Sequence, residues 1–274
     1  MQTGTKREFN VRSFFNFVFR EGYKRTAMKN CLVILMALML VLPVSAKNAD
    51  STVVDNGFRF QEIALPVSLV GVGALGFVEP VKNLNTEFNS AIADWSGGGT
   101  TSIDSYMEYL PMASVYAMSL LGADAKHNYI DRTLELATSY LTLCAMAGTM
   151  KHVIKEARPD GSGFDSFPSG HTATAFMGAE LIRIEYGHKS PLYTIGAYSV
   201  ATAVGALRLY NGKHWLTDVV AGAGVGILSA RIGYWLLPYT KNVMHRITGW
   251  DAFVSPTIAS GGVQVGVRLV PSRF

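Results

Sequence analysis

TDVVAGAGVGILSARIGYWLL, residues 217–237, is apolar except for Asp218 at its start and Arg231 within it. It meets the ~20 apolar residues that a membrane-spanning helix needs. The small residues of GAGVGILSA (222–230) would let neighbouring helices come close to it. Five more apolar segments precede it, at about 63–78, 107–123, 133–150, 171–186 and 191–209. The fifth repeats the small-residue habit in VATAVGAL (200–207). Most are shorter than a clean span, and Glu135, Glu180, Arg183 and Arg231 interrupt them. Strand-like alternation is scarce until GGVQVGVRLVPSRF (261–274). The pattern predicts an all-α bundle of six helices, membrane-embedded, with a tail that forms a short hairpin or an irregular end.

The composition agrees. The 274 residues are 49% hydrophobic and 16% charged, against a usual charged share of about 25%. The net charge of +4 belongs to the first 46 residues, since the remainder holds 17 basic and 18 acidic residues. Nucleic-acid binding therefore gains no support from charge. From Met28 the chain reads MKNCLVILMALMLVLPVSAKNAD. A short basic region, an apolar run and VSA before position 47 are the marks of a secretory signal peptide, with an uncleaved anchor as the other reading. The expected organisation is a basic leader and signal peptide at 1–46, a polar linker at 47–56, a helical domain at 57–250 and a tail at 251–274. Once the leader is removed, Cys144 is the single cysteine, so no intrachain disulfide is available.

Basic residues at Lys126 and Arg132, Arg183 and Lys189, and Lys241 and Arg246 suggest that their connections face inward. The loops at 151–170 and 208–217 then face outward. That arrangement requires segment 63–78, which contains Pro66, to lie in the interface rather than to span; otherwise the whole domain is periplasmic.

Three clusters carry chemistry. In RLYNGKHWLTD (208–218), His214 and Asp218 are four positions apart, which on a helix places them on one face. A carboxylate there can fix the imidazole tautomer and leave the other ring nitrogen as a nucleophile. Arg208 can fold back over the site across the turn at Asn211–Gly212. In PSGH (168–171), Ser169 is a good N-cap, Gly170 lets an anion approach the backbone, and His171 on the first turn can donate a proton. In KHVIKEARP (151–159), Lys151 and Arg158 are seven apart, about two turns on one helical face, and two such cations call for an anion between them. Each cluster alone is compatible with ordinary helix capping or surface charge. Together they make a phosphoryl-transfer kit with no metal ligand set.

The combination Lys-x6-Arg-Pro, Pro-Ser-Gly-His and Arg-x5-His-x3-Asp resembles the type 2 phosphatidic acid phosphatase superfamily. That group includes lipid phosphate phosphatases, bacterial class A acid phosphatases and vanadium haloperoxidases. The resemblance covers about residues 57–250. It implies a six-helix core, metal-independent hydrolysis without a cofactor, His214 as nucleophile, His171 as acid and Asp218 as the orienting group. Lys151, Arg158, Ser169, Gly170 and Arg208 would bind phosphate. Two features depart from the pattern: Leu207 stands where serine is usual, and only eight residues separate Pro159 from Pro168.

The expected activity is hydrolysis of a lipid-linked phosphate such as phosphatidic acid, undecaprenyl diphosphate or a lipid A phosphate. The expected place is the inner membrane, with the site facing the periplasm. A soluble periplasmic acid phosphatase is the alternative, and a vanadate-dependent haloperoxidase a further one. His127, His152, His188 and His245 show no ligand spacing and read as core or surface residues, and Trp215 as packing.

Overall fold

The computed structural model describes residues 60–248 and the backbone of 250–259 and 262–271. The expected leader, signal peptide and linker lie outside the described residues. Helix α1 (Phe60–Ala74) runs into a short 3-10 turn (Leu75–Phe77) and then α2 (Glu79–Ser96). A four-residue turn of helix, α3 (Asp104–Met107), precedes α4 (Leu110–Leu120). The long helices follow: α5 (Tyr129–Ile154), α6 (Gly170–Tyr186), α7 (Pro191–Tyr210) and α8 (Leu216–Thr248). The tail closes as an antiparallel pair, β1 (Trp250–Ala259) with β2 (Gly262–Pro271), in register from Trp250↔Pro271 to Ala259↔Gly262. Of the two endings the sequence allows, the hairpin forms, and it begins well before the alternating stretch.

Helix α8 holds the centre, packed by α1, α5 and α6. Its glycines make this possible. A Cβ on Gly226 would run into the Ala173 carbonyl of α6 and stand 2.9 Å from the Met177 nitrogen. One on Gly224 would stand 2.6 Å from the Pro66 carbonyl of α1. The interior between these helices is filled by Phe176, Met177, Leu181, Tyr198, Val204 and Ile227, all buried. Each such side chain contributes about 1.5–3 kcal/mol through removal from water.

The six apolar segments lie on described helices, and so does most of the stretch 80–106 between the first two of them. It holds α2, entered through a proline in the first turn and ended at Gly97 with φ 60. The helix is polar, so its apolar signal reduces to Phe88 and Ile92, which pack with Leu209 and Val219. Asn85, one turn earlier, donates from Nδ2 to Thr217 Oγ1 at 2.7 Å and ties α2 to the start of α8.

Three of the charges inside the apolar segments, Glu180, Arg183 and Arg231, are paired. Glu180 accepts from Arg183 Nε at 2.7 Å and from Tyr198 at 2.5 Å, and Arg231 bridges Glu180 and Glu62. Arg132 and Arg183, which suggest an orientation when taken as loop charges, lie within α5 and α6 and are used inside the fold. Arg132 donates to the Val115 carbonyl, Ser119 and Tyr186, each at 2.8 Å.

By length and hydropathy α8 can cross a membrane, with 78% of its apolar window buried in the bundle. Segment 63–78 does not continue straight, because the chain turns by 88° between α1 and α2.

Candidate active site

Three chain segments meet at one end of the bundle: the loop after α5, the start of α6, and the turn from α7 into α8. Backbone contacts hold them. The Ser169 N–H donates to the Asp218 carbonyl at 3.0 Å, joining the beginnings of α6 and α8. The Asp160 N–H donates to the Gly212 carbonyl at 3.1 Å, and Trp215 Nε1 donates to the Ala157 carbonyl at 2.9 Å.

His214 sits in the turn just before α8 rather than on it, nearly fully buried. Its Nδ1 lies 2.8 Å from the Ser166 carbonyl oxygen and 3.6 Å from Asp218 Oδ2. The shared helical face expected for His214 and Asp218 is therefore not what brings them together. The Ser166 carbonyl takes the Nδ1 proton, which leaves Nε2 with its lone pair. Asp218 instead accepts the Trp215 backbone N–H at 2.8 Å and the Ser166 hydroxyl at 2.6 Å, reaching back to start its own helix. Burial lowers the pKa of His214, with the Asp218 charge working against it. The ring is neutral at pH 7, as a nucleophile must be.

Behind Asp218 lies Glu156. Glu156 Oε2 and Asp218 Oδ1 are buried without another hydrogen-bond partner among the described residues. Burial, then the adjacent Asp218, pushes Glu156 up to about 9. A proton on Glu156, shared with Asp218, satisfies both carboxyls.

His171 is the second residue of α6. Its Nε2 lies 3.4 Å from Ser105 Oγ and 3.4 Å from Glu108 Oε1. Burial and then the Arg208 cation hold His171 down to about 4, with Asp104 opposing and His214 and Arg158 adding to the effect. The cations Arg208 and Arg158 thus both act on this ring. Burial pushes Glu108 up to about 7, against Tyr109 and Arg208.

Ser169 precedes α6, but its hydroxyl bonds Thr172 Oγ1 at 2.9 Å and does not cap the helix. The first-turn N–H groups stay available, and a Cβ placed on Gly170 would meet nothing within 4 Å. That opening lies beside the positive end of α6, where the PSGH sequence leads one to expect an anion.

The cations converge, but not along one helix. Helix α5 ends at Ile154 and Lys155 turns left-handed (φ 51), so Arg158 lies in the loop beyond. Lys151 and Arg158 meet on Asp165 instead: Lys151 Nζ donates to its backbone carbonyl, and Arg158 holds its carboxylate through Nε at 2.7 Å and Nη2 at 2.9 Å. Arg158 depresses the pKa of the Asp165 carboxyl. Arg208, buried near the end of α7, is paired with Asp104 at 2.5 Å. Leu207 is buried beside it. The eight-residue link from Pro159 to Pro168 is spanned by the Asp165 contacts.

Sequence reasoning missed Asp104, Ser105, Glu108, Glu156 and Ser166. The first three sit in the α3 region, which has no motif, and only Glu156 falls inside a quoted one. His127, read as a core or surface residue, lies largely buried far from this site, with its Nδ1 2.5 Å from Glu185 Oε1.

Comparison with known proteins finds the PAP2 superfamily model matching residues 132–242. Lipid A 1-phosphatase of Porphyromonas gingivalis is 32% identical over 228 residues, 75% of this chain and 49% of that protein. Bacitracin transport permease protein BcrC of Bacillus licheniformis is 38% identical over 109 residues, 40% of this chain and 46% of that protein. The chain thus spans about half the length of the curated relatives it matches. The crystal structure of Aquifex aeolicus LpxE aligns with a TM-score of 0.40 and 22% identity, covering 55% of this chain and 94% of that one.

Proposed function

We propose that this chain, whose residues 132–242 match the PAP2 superfamily model, is a metal-independent phosphatase acting on a lipid-linked phosphate through a phosphohistidine on His214. The observation that supports this most is the position of Ser166, whose carbonyl orients His214 while its hydroxyl orients Asp218. Nε2 of His214 attacks phosphorus, and the bond from phosphorus to the lipid oxygen breaks. His171 gives that oxygen its proton. His171 then takes a proton from water, whose oxygen displaces Nε2 and releases inorganic phosphate. Arg208, Arg158, Lys151 and the N–H groups opening α6 hold the equatorial oxygens as charge spreads over them.

His171 is neutral in the free protein. A phosphate anion beside it favours its protonated form and prepares the acid for the first step.

The lipid assignment is supported by large apolar side chains exposed on outer faces: Leu141 and Val153 on α5, Leu192 and Ile195 on α7, and Tyr239, Val243 and Ile247 on the later part of α8. Such surface is costly in water and suits a bilayer. We place the protein in the bacterial inner membrane with its site facing the periplasm. The lipid A 1-phosphatases among its relatives make a lipid A-type phosphate the first substrate to try. The buried character of α8 favours one second reading, a soluble periplasmic phosphatase whose core helix happens to be apolar.

The purified protein should be assayed in EDTA against lipid A, phosphatidic acid, undecaprenyl diphosphate and a soluble aryl phosphate. Hydrolysis of a lipid substrate that persists in EDTA and is lost in His214→Ala supports the proposal. Strong preference for the aryl ester, together with release from membranes by alkaline carbonate, favours the soluble reading.

A further inference from the structure

A second cluster of ionisable groups lies at the other end of the bundle. Glu185 is fourteen residues along α6 from His171, roughly 21 Å away at 1.5 Å per residue. Glu185 and Glu135 of α5 are essentially inaccessible, at 0% and 1% exposure. His127, from the connection before α5, points its Nδ1 at both: 2.5 Å from Glu185 Oε1 and 3.9 Å from Glu135 Oε2. Its backbone N–H donates to Glu185 Oε2 at 2.9 Å. The three donor atoms lie within 4.8 Å of one another.

Glu135 is the anomaly. Both of its carboxylate oxygens are buried with no hydrogen-bond partner among the described residues, and His127 Nε2 is in the same condition. The surrounding cations make their hydrogen bonds elsewhere, although the Lys126 ammonium still bears on Glu135 through its charge. Arg132 donates to Val115, Ser119 and Tyr186, Arg183 and Arg231 hold Glu180, and Lys126 Nζ donates to Tyr234 at 2.6 Å. Two buried carboxylates and one imidazole face one another, and with no ion bound Glu135 and Glu185 can share a proton, as Glu156 and Asp218 do.

One imidazole nitrogen and two carboxylates converging on a common point form a donor set suited to a divalent transition metal. We infer that His127, Glu135 and Glu185 bind a divalent cation of the zinc or manganese class. The metal takes the place of the proton on Nδ1, and the two carboxylates neutralise it. Because the ligands come from α5, α6 and the segment entering α5, the ion is a clamp on this end of the bundle. It has no part in phosphate transfer.

The test uses the untagged full chain in detergent, stripped with EDTA and dialysed against Zn²⁺ or Mn²⁺. Metal content by mass spectrometry and thermal unfolding are then measured on the same samples. With either ion, about one tightly held equivalent and a rise in Tm of several degrees are expected, both reversed by EDTA. Glu135→Gln and His127→Gln should lose the equivalent and the metal-dependent rise. If neither ion binds stoichiometrically, or if both variants bind it as well as the parent, the site is wrong and the cluster holds protons instead. If the variants do not fold, X-ray absorption on the zinc-loaded parent decides. A shell of oxygen and nitrogen with a single imidazole is expected, and one containing sulfur or several imidazoles overturns the assignment.

Discussion

The Nδ1 proton of His214 goes to the Ser166 carbonyl at 2.8 Å, while the Asp218 carboxylate stands at 3.6 Å. Tautomer control therefore belongs to the backbone, and Asp218 acts mainly through its charge. Where a carboxylate sets the tautomer of a catalytic histidine, amide replacement costs roughly 10⁴-fold in kcat. Asp218→Asn should fall well short of that here, whereas His214→Ala removes the nucleophile altogether. Steady-state kinetics on the two variants check this; equal losses would assign tautomer control to Asp218.

Glu156 should reveal itself in stability against pH. Its carboxyl is raised from an ordinary 4.5 to about 9, so the fold favours the protonated form. Its contribution is whole below about 4.5 and is lost as pH rises toward 9. Glu156→Gln keeps the neutral shape and should flatten this decline. Denaturant midpoints at several pH values across that window measure it, and an unchanged slope would remove the shared proton.

Glu108 stands 3.4 Å from His171 and is poised near 7. Once phosphate has raised the His171 pKa, the Glu108 carboxylate stabilises the imidazolium. Glu108→Gln should lower kcat more than it changes KM and move the basic limb of the kcat profile to lower pH. A shift in the opposite direction would mean that Glu108 restrains the acid instead of supporting it.

Asp165 occupies the guanidinium fork of Arg158 that a phosphate would use. Asp165→Asn frees that fork, so inhibition by inorganic phosphate or vanadate should strengthen. Weaker inhibition would show that Asp165 holds the cations in place and does not compete with the ligand.

The residues that gather at the candidate site were more legible in the sequence than the geometry that gathers them. PSGH and the His214–Asp218 spacing stand out because anion binding and phosphoryl transfer need those residue types. The helical-face arguments failed at Arg158 and His214, since a left-handed Lys155 ends α5 early and α8 starts only after His214. Helix α2 was hidden because it buries little more than Asn85, Phe88 and Ile92. Glu108 and Glu185 carried no signal in the sequence, because their partners His171 and His127 are brought near only by the folded bundle.

Rapid mixing with a lipid substrate carrying radiolabelled phosphate, quenched within one turnover and followed by peptide mapping, interrogates His214 itself. An acid-labile, alkali-stable phosphoryl group should appear on the peptide bearing His214 and vanish as free phosphate accumulates. Full-rate hydrolysis with no label on that peptide, or with label on another residue, would contradict the assignment of His214 as nucleophile.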